Sequence, residues 1–338
     1  MSLIKAIERH SSVSVIGTAK NTGKTTCFNY LVRCLHKTDR PIAITSVGLD
    51  GEERDALYDT PKPQIMLYEG MVFVTSEKNF ANKEFPTEVL TTSERTTPLG
   101  RLITARALGM GKAIISGPSD SSWLRKVIDE MALHHVTQTL VDGAFSRMSL
   151  ASPAVTDAVI LCTGAAFARQ LPDLIKKTKF IFKLIKLEQI SIPLRENFLF
   201  QENGIWLINE SDFTKKIASS VFTMTNEQEG LFNKNDIIYV NGAVTERFLK
   251  FLCLEKHKNI TLIVNDFTKL FVELVTYNRF IQNGGKLKVL YKAKLAAVCT
   301  NPTSPDGICF DAKMLQEQMQ DALQVPVYDI KMLEKNAK

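Results

Sequence analysis

Between Ser12 and Lys37 an alternating apolar run (Val13, Val15, Ile16) passes into Gly17-Thr-Ala-Lys-Asn-Thr-Gly23-Lys24-Thr25-Thr26. A stretch follows whose apolar residues Phe28, Leu31, Val32 and Leu35 recur on one helical face. This order predicts strand, glycine loop and helix, and so an α/β fold. Backbone N–H groups in such a loop converge on an anion, and the positive end of the helix dipole adds a favourable field. Lys24 is placed to neutralise terminal phosphate oxygens, and the Thr25 hydroxyl to ligate Mg²⁺. Gly17, Thr18, Lys20, Asn21, Thr22, Gly23 and Thr26 complete the expected nucleotide-binding set. A glycine loop that merely turns a strand into a helix is the plain alternative; the flanking strand and helix are the context that the phosphate reading requires.

The spacing departs from G-x-x-x-x-G-K-[ST], because Gly17 and Gly23 enclose five residues and Thr18 stands at the expected first glycine. The frame Gly-Thr-x-x-x-x-Gly-Lys-Thr resembles the loop of dethiobiotin synthetase. Lys20-Asn21-Thr22-Gly23-Lys24-Thr25 is similar to the molybdopterin-guanine-dinucleotide adapter family, another branch of the P-loop class.

At 338 residues the chain exceeds the usual size of a single core, so two domains, or one large sheet with additions, are expected. Its 45% hydrophobic and 23% charged residues sit near the globular average. No run of eighteen apolar residues occurs, and MSLIKAIERH is broken by charges, which points to a cytoplasmic protein without a membrane segment. The six cysteines (27, 34, 162, 253, 299 and 309) contain no C-x-x-C pair, so a reducing compartment and no zinc site are expected. Despite a net charge of +6 the lysines are scattered, and their densest run, Lys176 to Lys186, alternates with apolar residues in a pattern that suits a solvated edge as well as a polyanion groove. Nucleic acid is not an expected partner, since no recognised module accompanies the charge.

Pro41 to Val47 reads as a second strand, ending in Gly48-Leu49-Asp50-Gly51. In a parallel sheet ligands bind beyond the carboxyl ends of strands. Asp50 is therefore a candidate to hold Mg²⁺ through water or to orient an attacking water, or else only part of a turn. Residues 64–97 suggest a hairpin insertion that adds no core strand, and Pro98 to Leu108 suggests a helix. Lys112 to Ser116 reads as a strand, with Ser119 or Asp120 capping the next helix. Thr137 to Val141 delivers Asp142 at a strand end, where a P-loop protein carries its Mg²⁺ acid, so Thr25 and Asp142 form the expected metal pair. Arg147 follows as a weaker phosphate candidate. With Lys24, the acids Asp50 and Asp142 make up the expected catalytic set.

A nucleotide domain over residues 1–190 and a second α/β domain over 191–338 are the expected division. The loop Asn301-Pro-Thr-Ser-Pro-Asp-Gly307 suggests a turn, or a second ligand or base surface. Asn233-Lys-Asn-Asp236 has the letters of the guanine-reading N-K-x-D but precedes its strand instead of following it, so ATP is the default nucleotide, with GTP left open.

Gly17-Thr-Ala-Lys-Asn-Thr-Gly-Lys-Thr-Thr, Thr45-Ser-Val-Gly-Leu-Asp-Gly-Glu, Val141-Asp-Gly-Ala-Phe-Ser-Arg, Cys162-Thr-Gly-Ala and Asn301-Pro-Thr-Ser-Pro-Asp-Gly together resemble one family across nearly the whole chain. This is the smaller component of the reactivating factor of lysine 5,6-aminomutase. The resemblance implies a chaperone-like role in which ATP and Mg²⁺, with a MutS-like ATPase subunit, serve to release damaged cobalamin from a cobalamin-dependent aminomutase. No D-x-H-x-x-G pattern is present, so direct cobalamin binding is not expected. A dethiobiotin-synthetase-like ligase and a nucleotide-binding adapter with negligible turnover are the alternatives.

Overall fold

The computed structural model describes residues 2–38, 40–48, 64–118, 120–143, 155–191, 198, 201–208 and 214–336. Strand β1 (Ser12–Gly17) is buried along its whole length, as a central parallel strand covered on both faces must be. It runs through the glycine loop into the helix Lys24–His36, which buries Cys27, Phe28, Leu31, Val32 and Leu35 at helical spacing. Then come β2 (Ile42–Ser46), β3 (Ile65–Leu67), β4 (Val72–Ser76), β5 (Thr87–Thr97), β6 (Gly100–Ala107) and β7 (Gly111–Ala113). Two expectations fail here. Strand β4 is no insertion but a fully buried core strand parallel to β2, and the excursion is the β5–β6 hairpin at the sheet edge. The segment expected as a helix from Pro98 to Leu108 contains β6, which pairs antiparallel with both β4 and β5. The leucine, alanine and arginine of this stretch favour a helix, but hydrogen bonding on both sides of the strand overrides that weak preference.

Asp120 caps the helix Ser121–Met131 by accepting from the Trp123 N–H at 2.8 Å. Strand β8 (Gln138–Asp142) and strand β9 (Ala158–Gly164) follow. No helix among the described residues is long and apolar enough to cross a membrane.

The helix Leu171–Ile185 leads into a second compact unit, residues 180–293. Its strands are β10 (Glu188–Gln189), β11 (Gly204–Ile208), β12 (Thr214–Ala218), β13 (Ile237–Asn241), β14 (Val244–Thr245), β15 (Thr261–Val264), β16 (Leu270–Phe271) and β17 (Lys286–Val289). Six of them form a sheet in the order β10-β17-β15-β13-β11-β12, parallel as far as β13 and antiparallel beyond it. Asn233-Lys-Asn-Asp236 is the turn into β13. The Asp236 carboxylate accepts from the Asn233 N–H at 2.6 Å and Asn235 is left-handed, so these letters serve the turn.

His257 in this unit is 1% exposed, with neither ring nitrogen hydrogen-bonded, and packs against Phe251 and Phe232. Burial pushes its pKa below the ordinary 6.5. The folded state therefore binds fewer protons than the unfolded one once pH falls to about 6.5, so stability present above that pH is lost below it. The urea midpoint is expected to fall between pH 7.5 and pH 5.5, and His257→Phe to shrink that fall. His10, also pushed down chiefly by burial, acts in the same direction. An unchanged fall in the variant would remove His257 from the effect.

The chain then returns to the first unit, which comprises residues 1–179 and 294–338. Strand β18 (Leu295–Asn301) lies parallel to β9, and β19 (Val327–Asp329) lies parallel to β18. The nine-stranded order is β19-β18-β9-β1-β8-β2-β4-β6-β5, in which β6 alone runs against the other strands. The division expected at residue 190 is thus replaced by a unit set within the chain, because β18 pairs with β9 and, with β19 beyond it, completes the first sheet. From β1 the chain runs to β2 on one side, and from β8 it crosses to β9 on the other. The carboxyl ends of β8, β1 and β9 therefore stand at a point where the strand order reverses, the usual place for a ligand crevice in open α/β sheets.

Candidate functional site

The glycine loop sits at that point. Asn21 (φ 62°) and Gly23 (φ 86°) are left-handed, whereas Lys20, Thr22 and Lys24 are not. Such alternation turns successive N–H groups towards one concave side. At Gly23 a side chain would be strained by the backbone, and its Cβ would lie 3.0 Å from that of Asn301. At Gly17 a Cβ would stand 2.8 Å from the Thr22 hydroxyl oxygen. Cys27 is the first helical residue whose N–H reaches a turn carbonyl, donating to Gly23 at 2.9 Å. The N–H groups of Lys24, Thr25 and Thr26 thus belong to the first turn, which has no intrahelical acceptors.

The expected binding residues divide by what their side chains already do. Thr18 is buried; its N–H donates to the Cys162 carbonyl at 2.8 Å and its hydroxyl donates to Thr163 at 3.2 Å. Thr163 in turn shares a 2.8 Å hydrogen bond with Thr178. The Thr22 hydroxyl donates to the Ala19 carbonyl at 2.9 Å, which closes the loop on itself. Thr18 and Thr22 are therefore loop-building residues, while Lys20, Asn21 and Thr26 are exposed and Thr25 is half-buried.

Asp142 ends β8 in register with Val15 of β1 and Ser46 of β2. Val15 packs in the cluster that also holds Cys27, Phe28 and Leu31 of the helix Lys24–His36, so Asp142 faces the helix that carries Lys24. The two side chains form an ion pair, each 23% exposed. The Ser46 hydroxyl donates to the Asp142 carbonyl at 3.2 Å and the Val47 N–H donates to it at 3.1 Å, which fixes the end of β8 against β2. Asp50 and Arg147 lie outside the described residues.

Asn301, which the sequence suggests as the start of a turn or of a second ligand or base surface, has a specific place here. Its side-chain amide donates to the Asn21 carbonyl at 3.0 Å, and its own carbonyl accepts from the Ala165 N–H at 2.9 Å. The side-chain oxygen accepts from the Thr303 N–H at 3.3 Å, which sets the amide's orientation. A polar residue at the end of an apolar strand was the available signal, but its partner lies 280 residues away.

A scan against family models, a search of curated proteins and a search of solved structures found no match to this chain.

Beneath the loop, Cys27 of the helix, Cys162 of β9 and Cys299 of β18 bring their sulfurs within 4.8 Å of one another. Hydrogen bonds from the Cys27 and Cys299 thiols hold Cys162 below the ordinary thiol range, and the same contacts with Cys162 push Cys27 and Cys299 up.

Proposed function

We propose that the loop from Gly17 to Thr26 binds Mg²⁺-ATP, and that the chain is the small, nucleotide-dependent component of a reactivating factor for an adenosylcobalamin-dependent lysine or ornithine aminomutase. It would act in the cytoplasm beside a MutS-like ATPase subunit. The observation that carries the nucleotide reading is the Lys24–Asp142 ion pair beside a left-handed glycine loop at the carboxyl ends of β1 and β8. The aminomutase and its partner rest on the resemblance of the five motifs quoted above.

The donor set suits the ligands proposed. Asp142 and Thr25 offer the hard oxygens that Mg²⁺ prefers, and the first-turn N–H groups and Lys24 suit phosphate oxygens. Lys24 now neutralises Asp142. Turned towards a phosphate, its ammonium would leave the carboxylate free to serve a metal, so one side-chain movement would couple the two ligands. Bound there, Mg²⁺ would supply charge neutralisation on the terminal phosphates. Slow turnover by the isolated chain is expected, with the groups it needs supplied when a partner orders a loop or contributes an arginine.

Phosphate release should be measured for the chain alone, with a cobalamin aminomutase, and with aminomutase and MutS-like subunit together. A rise that needs the protein partners is the expected result. Fast release that ignores both proteins but requires a small carboxylate or amine would overturn the reactivase reading in favour of a ligase. Nucleotide binding without release in any mixture would leave an adapter.

A further inference from the structure

Cys27, Cys162 and Cys299 are 0%, 1% and 2% exposed, come from three different elements, and converge although the first and last are 272 residues apart. Strand register sets two of them: Cys162 and Cys299 are paired neighbours on β9 and β18, so both point to the face that the helix Lys24–His36 covers. That helix supplies Cys27, whose sulfur is 3.6 Å from that of Cys299. Free cysteines are often merely small core residues, and a lone one would carry nothing further. Three sulfurs all within 4.8 Å of one another are a different object, because that is the spacing of a metal-thiolate site. With metal–sulfur bonds of about 2.3 Å, sulfurs stand roughly 3.8 Å apart in a tetrahedral site and roughly 4.0 Å apart in a trigonal one.

We propose that these three thiols bind one soft, thiophilic monovalent cation, Cu(I), in a closed three-sulfur site. Donor number and surroundings select the ion. Thiolate sulfur favours Cu(I), Zn²⁺ and iron–sulfur clusters over Mg²⁺ or Ca²⁺. Structural Zn²⁺ takes four protein ligands and iron–sulfur clusters are usually held by four cysteines. Among the described residues no fourth histidine, cysteine, aspartate or glutamate joins the group. The sulfurs belong to a buried core that also holds Val15, Phe28, Leu31 and Ile160, with Tyr328 the paired neighbour of Cys299 and the Lys24 ammonium near enough to favour a thiolate at Cys162. Each coordinated thiol releases its proton to solvent, and the metal takes no part in electron transfer. The three ligands are distinct from the loop residues, so metal retention is read without nucleotide, although Lys24 and Asp142 lie near enough to Cys162 for their charges to act on it.

The reduced full-length chain, kept free of oxygen, should be titrated with Cu(I) against a chromophoric Cu(I) chelator. Cu(I) should be added both to the folded protein and during refolding from urea, because the site is buried. One Cu(I) per chain withheld from the chelator, with near-ultraviolet sulfur-to-copper absorption, is expected. Cys27→Ala, Cys162→Ala and Cys299→Ala should each weaken retention at least tenfold, while Cys34→Ser and Cys309→Ser leave it unchanged. A chromophoric Zn²⁺ chelator should strip Zn²⁺ completely. Cys27→Ala and Cys299→Ala should keep the wild-type circular dichroism spectrum, which separates loss of a ligand from loss of the fold. Failure to retain Cu(I) by either route would overturn the proposal. So would retention unaffected by the three alanine variants, or Zn²⁺ held as tightly as Cu(I).

Discussion

Lys24→Ala is expected to weaken Mg²⁺-ATP binding by about 10- to 100-fold in calorimetry, the effect of losing a hydrogen-bonded charge worth roughly 1.5–3 kcal/mol. This prediction rests on the proposed nucleotide site. Asp142→Asn provides the complement. It frees Lys24 from its ion pair, so affinity without Mg²⁺ should hold or rise while the gain on adding Mg²⁺ disappears. The melting temperature without nucleotide serves as the control for folding. Binding by Lys24→Ala at wild-type strength would sink the phosphate role. Equal loss in Asp142→Asn with and without Mg²⁺ would make that aspartate a structural partner only.

Gly164→Ala is expected to damage the sheet and the glycine loop together. A Cβ at this position would lie 2.2 Å from the Asn301 carbonyl oxygen and 2.9 Å from the Asn301 Cβ. Backbone cannot yield there without separating β9 from β18, and Asn301 is the residue that holds the Asn21 carbonyl. Overpacking of this kind costs about 1–3 kcal/mol, and each kcal/mol lowers the melting temperature of a large domain by about 2–4 °C. Gly242→Ala is the matched control, since nothing lies within 4 Å of the added carbon. Identical melting of Gly164→Ala and wild type would refute the steric account.

Local signals read well in this chain. The alternation of Val13 and Val15, the glycine loop and the apolar face of Phe28, Leu31 and Leu35 placed β1 and its helix, and Asp120 announced the helix that it caps. Asp142 was legible as an acid ending an apolar strand, and the structure brings it to Lys24. Signals that depend on pairing were not legible. Leu102 to Ala107 has a composition suited to a helix, and only its two neighbouring strands decide otherwise. Strand β18 was found, but no local pattern says that it joins β9 instead of the sheet immediately before it. Asn301 and the three converging cysteines escaped for the same reason, as their meaning lies in partners distant along the chain.

The hydrogen bond from Asn301 to Asn21 also has a consequence for biosynthesis. The two residues are 280 positions apart, so at synthesis rates of 5–20 residues per second the glycine loop emerges about 15 to 60 s before its clamp is made. In the later part of that interval, once β9 has been made, the nascent sheet ends at β9, whose unpaired edge awaits β18 while residues 180–293 are synthesised. A ribosome-bound chain stalled before residue 295 would therefore expose a sticky strand edge and an unclamped loop, and would be the form most in need of a holding chaperone.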